Sequence, residues 1–172
     1  PPRSTPLYSS AASDVYKRQN KVIDLIEQGQ PAYTTAGPTH DLSYETGLEW
    51  ADTWADMLLI MFEHQPFDMK GLREFMRGLR DGGPTASGHP TPTVVASLAA
   101  NAVTKEEIVA NAWQARHLLA AGVHGLWVDH AREPEAVRAF VSAARYPFQE
   151  LGRDMGVEEG VRGQGDAEWA AE

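Results

Sequence analysis

Residues 57–68 read MLLIMFEHQPFD, an apolar run that ends on the ionisable pair Glu63 and His64 and then breaks at Pro66. A short, continuous apolar run of this kind is typical of a strand that is buried on both faces of a parallel sheet. Glu63 and His64 would then stand at the carboxyl end of the strand, where α/β proteins bind their ligands. The stretch therefore predicts both the fold class and the position of a site.

Helical and strand patterns alternate from Asn20 onward. Helices are predicted in NKVIDLIEQG (20–29), LSYETGLEWADTWA (42–55), MKGLREFMRGLRDGG (69–83), the stretch from a capping box at Thr104 to Gly122, and the stretch that begins at Pro134. Strands are predicted in PAYTTAG (31–37), DMLLIMFEH (56–64), TPTVVASLA (91–99) and HGLWVDHA (124–131). In the first helix we expect Val22, Ile23 and Ile26 to form the buried face.

Alternating helices and strands indicate an α/β protein whose parallel strands are connected by crossover helices. Two architectures satisfy this pattern. A doubly wound sheet could be complete with four or five strands. A (β/α)8 barrel needs about 250 residues, so the chain would then contain only its first four βα units.

Composition limits the classes of function. The chain has 172 residues, of which 42% are hydrophobic, enough for one modest domain with a core. It has no cysteine, which excludes disulfides, thiolate metal ligands and a cysteine nucleophile. The net charge of −9 argues against nucleic acid or an anionic membrane as partner. No apolar run approaches the roughly 20 residues of a membrane helix, so we expect a cytoplasmic protein without a membrane partner.

The first nineteen residues differ in composition from the rest and show no helical or strand period. Within them, SSAASDVYKRQ (9–19) resembles the in-frame translation of a transposon-type sequencing adapter. We therefore predict that residues 1–19 are a non-native, disordered tail and exclude them from the fold.

Three of the four predicted strands end in an acid next to a histidine. The pairs are His40–Asp41, Glu63–His64 and Asp129–His130. Histidine titrates near neutrality and serves as acid, base or metal ligand, and a neighbouring carboxylate orients it. Because the carboxyl ends of parallel strands converge on one rim, the three pairs predict a site there. Each pair taken alone is also compatible with a surface loop or a helix cap, and Asp41 is a candidate N-cap.

Several motifs resemble the HpcH/HpaI aldolase family. DMLLIMFEHQPFD (56–68) resembles its second-strand motif, in which an apolar strand ends in Glu-His followed by a proline. LLAAGVHGLWVDHAREPEAVRAFVSAARYP (118–147) is similar to a later strand and helix of the family, and GVRGQG (160–165) to the glycine-rich loop that follows. The resemblance implies a (β/α)8 TIM-type barrel of which residues 20–172 are the N-terminal half, truncated at the C-terminus.

The resemblance also implies an activity, that of a class II, metal-dependent aldolase. Such a carbon–carbon lyase of 2-keto acids acts through a pyruvate enolate stabilised by Mg, Mn or Co. On the resemblance His64 would be the catalytic acid/base and Glu63 a residue that lines the substrate site, and strand-end placement adds His40, Asp129 and His130 as lining residues. The metal ligands are expected beyond residue 172, so none is assigned in this chain and the fragment is expected to be inactive. Its substrates would be a keto acid and an aldehyde, and the full-length protein a homo-oligomer.

Three positions depart from the family pattern. Met61 stands where the family usually has an aspartate that orients the histidine, and Ala96 where an arginine binds the substrate carboxylate. Asp129 stands where a proline is common. These departures leave a second function open, that of a catalytically silent barrel homologue that binds a small carboxylic acid.

Overall fold

The computed structural model describes residues 20–163, so the adapter-like tail predicted at 1–19 lies outside the described residues. In chain order the elements are α1 (Lys21–Glu27), β1 (Thr34–Ala36), α2 (Tyr44–Trp50), β2 (Met57–Ile60), α3 (Met69–Asp81), β3 (Thr93–Ser97), α4 (Lys105–Ala120), β4 (Gly125–Trp127) and α5 (Pro134–Ala144), followed by a 3-10 turn at Arg153–Met155. The alternation predicted from the sequence is confirmed.

All strand pairs are parallel, and the strands lie in the order β1-β2-β3-β4. In the central pair, Met57 is opposite Thr93 and Ile60 is opposite Ala96. A doubly wound sheet reverses its strand order at a switch point, whereas a barrel adds each strand beside the previous one. The sequential order therefore decides between the two predicted architectures in favour of barrel-type winding.

The strands are shorter than predicted, and β2 shows the reason. Its last ladder partner is Ile60, and the chain then turns, with the backbone N–H of His64 donating to the carbonyl of Met61 at 3.2 Å. Burial along β2 alternates, because Leu58 and Ile60 are fully buried while Met57 and Leu59 are half-buried. Only one face of this strand is thus fully covered by the described chain, where burial on both faces was expected.

Helix α3 presents an apolar stripe to the core. Its buried side chains include Leu72, Phe75, Met76 and Leu79. The side chain of Asp68 caps the helix by accepting the N–H of Gly71 at 2.9 Å. The arginines of α3 are exposed on the side opposite this stripe, as a period of 3.6 residues requires.

Helices α2 and α3 approach each other through two glycines. A Cβ added to Gly78 would lie 2.8 Å from the Cα of Gly47, and a Cβ added to Gly47 would lie equally close to the Cα of Gly78. Neither position can accept a larger side chain without moving a helix, because the nearest atoms belong to backbone. The pair of glycines thus sets how closely α2 packs on α3.

Helix α4 begins with the predicted capping box. The Oγ1 atom of Thr104 accepts the N–H of Glu107 at 3.2 Å, and the carboxylate of Glu107 accepts the N–H of Val103 at 3.2 Å. Gly122, which follows the helix, has a φ of 96°, a left-handed conformation that glycine adopts without a steric cost. Both ends of α4 are therefore specified by local sequence.

The buried face predicted for α1 is wrong. Ile23 and Ile26 are exposed, and the buried residue of the helix is Lys21. The Nζ atom of Lys21 lies 2.8 Å from Oδ1 of Asp56, the residue just before β2. The helix lies against the amino ends of the strands and covers this ion pair. Lys21 and Asp56 are buried together, because a lone buried charge is costly.

More polar groups gather beside that ion pair. The Nε2 atom of His89 lies 3.2 Å from Oδ2 of Asp24, and both side chains are nearly buried. Asp56 also accepts the N–H of Tyr33 at 2.8 Å. We refer to Lys21, Asp24, Asp56 and His89 as the amino-end cluster. It closes the side of the sheet opposite to the predicted site. No helix between residues 20 and 163 is long and apolar enough to cross a membrane.

Candidate active site at the carboxyl ends of the strands

The residues after β2 are held by the end of β3. The backbone N–H of Glu63 donates to Oγ of Ser97, the last residue of β3, at 3.2 Å. Ser97 is fully buried, so this hydrogen bond fixes the backbone of the loop that carries Glu63 and His64. The sequence offered no signal for Ser97 beyond a polar residue at a strand end.

Glu63 lies between two histidines. Its Oε1 atom is 2.8 Å from Nε2 of His130, and its Oε2 atom is 3.3 Å from Nε2 of His64. The side chain of Glu63 is only 13% exposed, whereas those of His64 and His130 are 73% and 58% exposed. The predicted Glu63–His64 pair thus meets the histidine of a second predicted pair, His130, through one carboxylate, and we call Glu63, His64 and His130 the carboxyl-end cluster.

This arrangement suits proton transfer. A carboxylate that has lost most of its water needs hydrogen-bond donors, and within residues 20–163 its ion-pair partners are the two imidazoles. Each imidazole turns Nε2 to the carboxylate, which leaves Nδ1 of His64 on an exposed ring. An exposed imidazole oriented by a carboxylate is the usual form of a general acid/base in enzymes.

His130 has an uncommon backbone conformation. Its φ is 56°, and it is the one residue other than glycine with a positive φ among residues 20–163. Histidine adopts this left-handed region more readily than most residues, yet at a cost of about 1–2 kcal/mol relative to the right-handed region. This local conformation follows β4 directly and accompanies the contact of His130 with Glu63.

Asp129 does not join the cluster through a contact. Its Oδ1 atom accepts the indole N–H of Trp127 at 2.7 Å, and its backbone carbonyl accepts the N–H of Ala102 at 3.0 Å. Its Oδ2 atom is buried and has no hydrogen-bond partner. Asp129, which was predicted to line the site, therefore binds Trp127, the last residue of β4.

The pair after β1 is also separate. His40 is exposed and makes no hydrogen bond or ion pair with any residue between 20 and 163. Asp41 accepts hydrogen bonds from Oγ1 of Thr46 at 2.7 Å and from Oγ of Ser43 at 2.8 Å. The bonds from Thr46 and then Ser43 lower the pKa of Asp41. The N-cap of α2 is Ser43, so the cap role considered for Asp41 is wrong, although Asp41 supports that cap.

Two positions that the family resemblance singles out present no charge. Met61 is half-buried and Ala96 is fully buried at the end of β3. No group of three or more histidine, aspartate or glutamate side chains in the described part of the chain is arranged to hold a metal ion. Both oxygens of Glu63 already face imidazoles, so the residues present at this rim do not fit a divalent ion.

Comparison with known proteins gives matches to solved structures only. No family model and no curated protein sequence matches the chain. A HpcH/HpaI aldolase/citrate lyase family protein from Burkholderia cenocepacia J2315 superimposes with a TM-score of 0.63 over 89% of this chain, at 19% identity. A HpcH/HpaI aldolase from Desulfitobacterium hafniense DCB-2 superimposes with a TM-score of 0.58 over 86% of it, at 15% identity.

These matches define a class of fold. The chain has the parallel α/β architecture of TIM-barrel aldolases, which confirms the fold class that the sequence motifs implied. It spans about half the length of these structures, 53% of the first and 48% of the second. At such low identity the similarity concerns the fold, and function must be argued from the cluster around Glu63.

Proposed function

We propose that this chain is part of a carbon–carbon lyase of 2-keto acids, an aldolase, in which His64 is the general acid/base. One observation carries the proposal: the exposed imidazole of His64 lies beside the nearly buried carboxylate of Glu63 at the carboxyl ends of parallel strands. The fold shared with proteins described as HpcH/HpaI aldolases supports it. The motif Glu-His-x-Pro at residues 63–66 supports it independently, because it comes from the sequence.

The proposed chemistry assigns a proton to a stated atom. In a 2-keto-4-hydroxy acid, Nδ1 of His64 takes the proton of the C4 hydroxyl while the C3–C4 bond breaks. The C4 oxygen becomes the carbonyl of the released aldehyde, and the bonding electrons remain on pyruvate as its enolate. The proton then returns from His64 to C3, which yields pyruvate. Glu63 orients the ring and stabilises its positive charge between these two steps.

The enolate needs stabilisation that the described residues do not provide. The family resemblance assigns this role to a divalent ion, Mg, Mn or Co, which would polarise the keto acid when bound. Residues 20–163 present no ligand set for such an ion, so no step is assigned to it. For the same reason we expect no turnover by the 172-residue chain alone. A keto acid and an aldehyde as substrates, a homo-oligomer and a cytoplasmic location complete the proposal.

The test uses a longer protein that contains this chain. With Mn²⁺ or Co²⁺ and a 2-keto-3-deoxy acid, we expect release of pyruvate, followed with lactate dehydrogenase and NADH. His64→Ala should lower kcat by about 10²- to 10⁴-fold, the usual contribution of general acid–base catalysis. His117→Ala, which removes an exposed histidine from α4, is the matched control and should keep full activity. Pyruvate release that is absent, or equal in the His64 variant, would contradict the proposal.

A second function is supported by Met61 and Ala96. Neither supplies the aspartate or arginine that the resemblance leads one to expect, and Ala96 is fully buried, so it cannot contact a substrate carboxylate. The alternative is a catalytically silent homologue that binds a small carboxylic acid. Calorimetry with pyruvate combined with the pyruvate-release assay would distinguish the two functions, because only a silent homologue binds pyruvate and turns over no keto acid.

A further inference from the structure

We propose that His130 is a positioning residue, which holds Glu63 in the orientation that fixes the proton-accepting atom of His64. On this view Glu63, His64 and His130 are one hydrogen-bonded unit, in which both Nε2 atoms carry protons and Nδ1 of His64 is the free base. The effect on catalysis rests on the proposed function. The hydrogen-bonded unit itself does not, and it can be tested without any turnover.

The first support is the state of the carboxylate. Glu63 is nearly buried, and both of its oxygens face an imidazole Nε2, at 2.8 Å and 3.3 Å. A carboxylate has only acceptor atoms, so Nε2 of His130, which is hydrogen-bonded to it, must carry a proton, and the closeness of Nε2 of His64 to the other oxygen favours a proton there as well. When Nε2 of a neutral imidazole is protonated, Nδ1 is not, and the choice of tautomer follows from this contact.

The second support is the order of the distances. His130 makes a hydrogen bond to Glu63 at 2.8 Å although it is 67 positions away in the chain, whereas His64, the next residue, makes only a longer charge contact at 3.3 Å. His130 reaches Glu63 from the far side of β3, and Ser97 holds the backbone of Glu63 from β3 itself. Glu63 is thus fixed by two other strand ends, and His64 is oriented by a carboxylate that cannot rotate freely.

The third support is the backbone of His130. A φ of 56° costs free energy in any residue that has a Cβ, and glycine would occupy the position without this cost. An unfavourable conformation persists where the surroundings require it, and here the requirement is the bond to Glu63. Neither of the other two predicted lining residues competes for Glu63, because Asp129 binds Trp127 and His40 makes no hydrogen bond within residues 20–163.

The fourth support is Met61. The resemblance places an aspartate partner for the histidine at this position, and methionine cannot accept the proton of an imidazole with comparable strength. Glu63 is the carboxylate that His64 contacts in the described chain. A side chain that steadies Glu63 therefore performs the orienting function that an aspartate at position 61 would otherwise perform.

The experiment compares two substitutions of His130 in the 172-residue chain labelled with ¹⁵N-histidine. His130→Gln keeps an N–H donor at the position of Nε2, whereas His130→Gly removes the donor and relieves the left-handed backbone. At pH 8, ¹⁵N shifts of the imidazole nitrogens report the tautomer of His64. We expect the Nε2–H tautomer in the wild type and in His130→Gln. In His130→Gly we expect a mixture of both tautomers, with a melting temperature equal to or above that of the wild type.

The melting temperature and the His64 tautomer together separate a positioning role from a structural one. If His130 positions Glu63, His130→Gly should keep or raise the melting temperature while the tautomer of His64 becomes mixed. A His64 tautomer that is unchanged in His130→Gly, identical in the Gln and Gly variants, or not Nε2–H in the wild type would overturn the proposal. The signals of His117 serve as the internal control and should not move. In the longer protein, His130→Gly should lower kcat by about ten- to a hundredfold with little change in KM, and His130→Gln should restore it. If the longer protein has no lyase activity, the proposed function fails while the NMR result still decides the role of His130.

Discussion

Each end of the sheet holds a carboxylate with basic partners, but the partners are in opposite environments. In the amino-end cluster the side chains of Lys21 and Asp56 are 10% and 11% exposed, and the pair is enclosed by α1. In the carboxyl-end cluster only the carboxylate is enclosed, and both imidazoles reach solvent. A buried ion pair cannot lose one partner without a large cost in stability, whereas a buried charge with exposed partners leaves those partners free to meet a ligand.

The difference shows how one sheet can separate stability from chemistry. The ion pair of Lys21 with Asp56 ties α1 to the residue that precedes β2. The imidazoles beside Glu63 are exposed, and histidine is the side chain that most often transfers protons in enzymes. The following predictions test whether the amino end is the stabilising end and the carboxyl end the reactive one.

The largest effect is expected from Asp56→Ala. Loss of this carboxylate leaves the ammonium of Lys21 buried and unpaired and the N–H of Tyr33 without its acceptor. Breaking a buried ion pair in this way costs about 3–5 kcal/mol of the free energy of unfolding, which urea denaturation measures. Lys105→Ala, which breaks the exposed pair with Glu158, is the control and should leave the urea midpoint unchanged. Equal midpoints for both variants would contradict the comparison.

The ion pair of Lys21 with Asp56 also predicts that the free energy of unfolding depends on pH. Burial raises the pKa of Asp56, but the hydrogen bonds from Lys21 and from the N–H of Tyr33, with the charges of Lys21 and His89, outweigh it, so the pKa lies below 3.8. A carboxylate with a lowered pKa contributes stability that is fully present above its unfolded pKa and is lost as pH falls through its folded pKa. The difference in unfolding free energy between wild type and Asp56→Asn should therefore be constant at pH 5–7 and shrink below 3.8. A difference that grows on acidification would exclude this account.

A smaller effect is expected from Ser97→Ala at the carboxyl end. The variant leaves the N–H of Glu63 without its acceptor, next to a fully buried position. An unsatisfied buried N–H costs about 1–3 kcal/mol, and partial access of water to the loop places this one near the lower limit. The urea midpoint measures the cost. The tautomer of His64 should also become mixed, because Glu63 loses one of its two anchors; a destabilised variant with an unchanged tautomer would assign Ser97 to stability alone.

The smallest effect on stability is expected from His64→Ala. The ring is mostly exposed, and a surface substitution changes the free energy of unfolding by about 0.5 kcal/mol or less. Together with a large loss of activity in the longer protein, this result would mark His64 as a residue kept for chemistry. A loss of stability comparable to that of Asp56→Ala would instead make the two ends of the sheet equivalent.

Much of the fold could be predicted, because its determinants are local. The stripe of Leu72, Phe75 and Leu79 follows the helical period, and the cap at Thr104 depends on residues three positions apart. The error in α1 has a tertiary origin. Its apolar pattern predicted Ile23 and Ile26 as the buried face, but the ion pair of Lys21 turns the opposite side toward the sheet.

The candidate site was predicted in part, for a related reason. Strand-end placement drew attention to Glu63, His64 and His130, since carboxyl ends of parallel strands lie on one rim. The same argument named His40 and Asp129, which the structure places in other local environments. A pattern along the chain gives the end of a strand but not the direction of a side chain, so it could not separate these cases.

By itself the sequence determined the alternation of helices and strands, their caps and the presence of ionisable groups at strand ends, since each depends on neighbours within a few residues. Only the tertiary structure decided the sequential strand order, the burial of Lys21 with Asp56, and the meeting of Glu63 with His130 across 67 positions. These contacts join distant segments, and their free energy exists only once the sheet has brought those segments together.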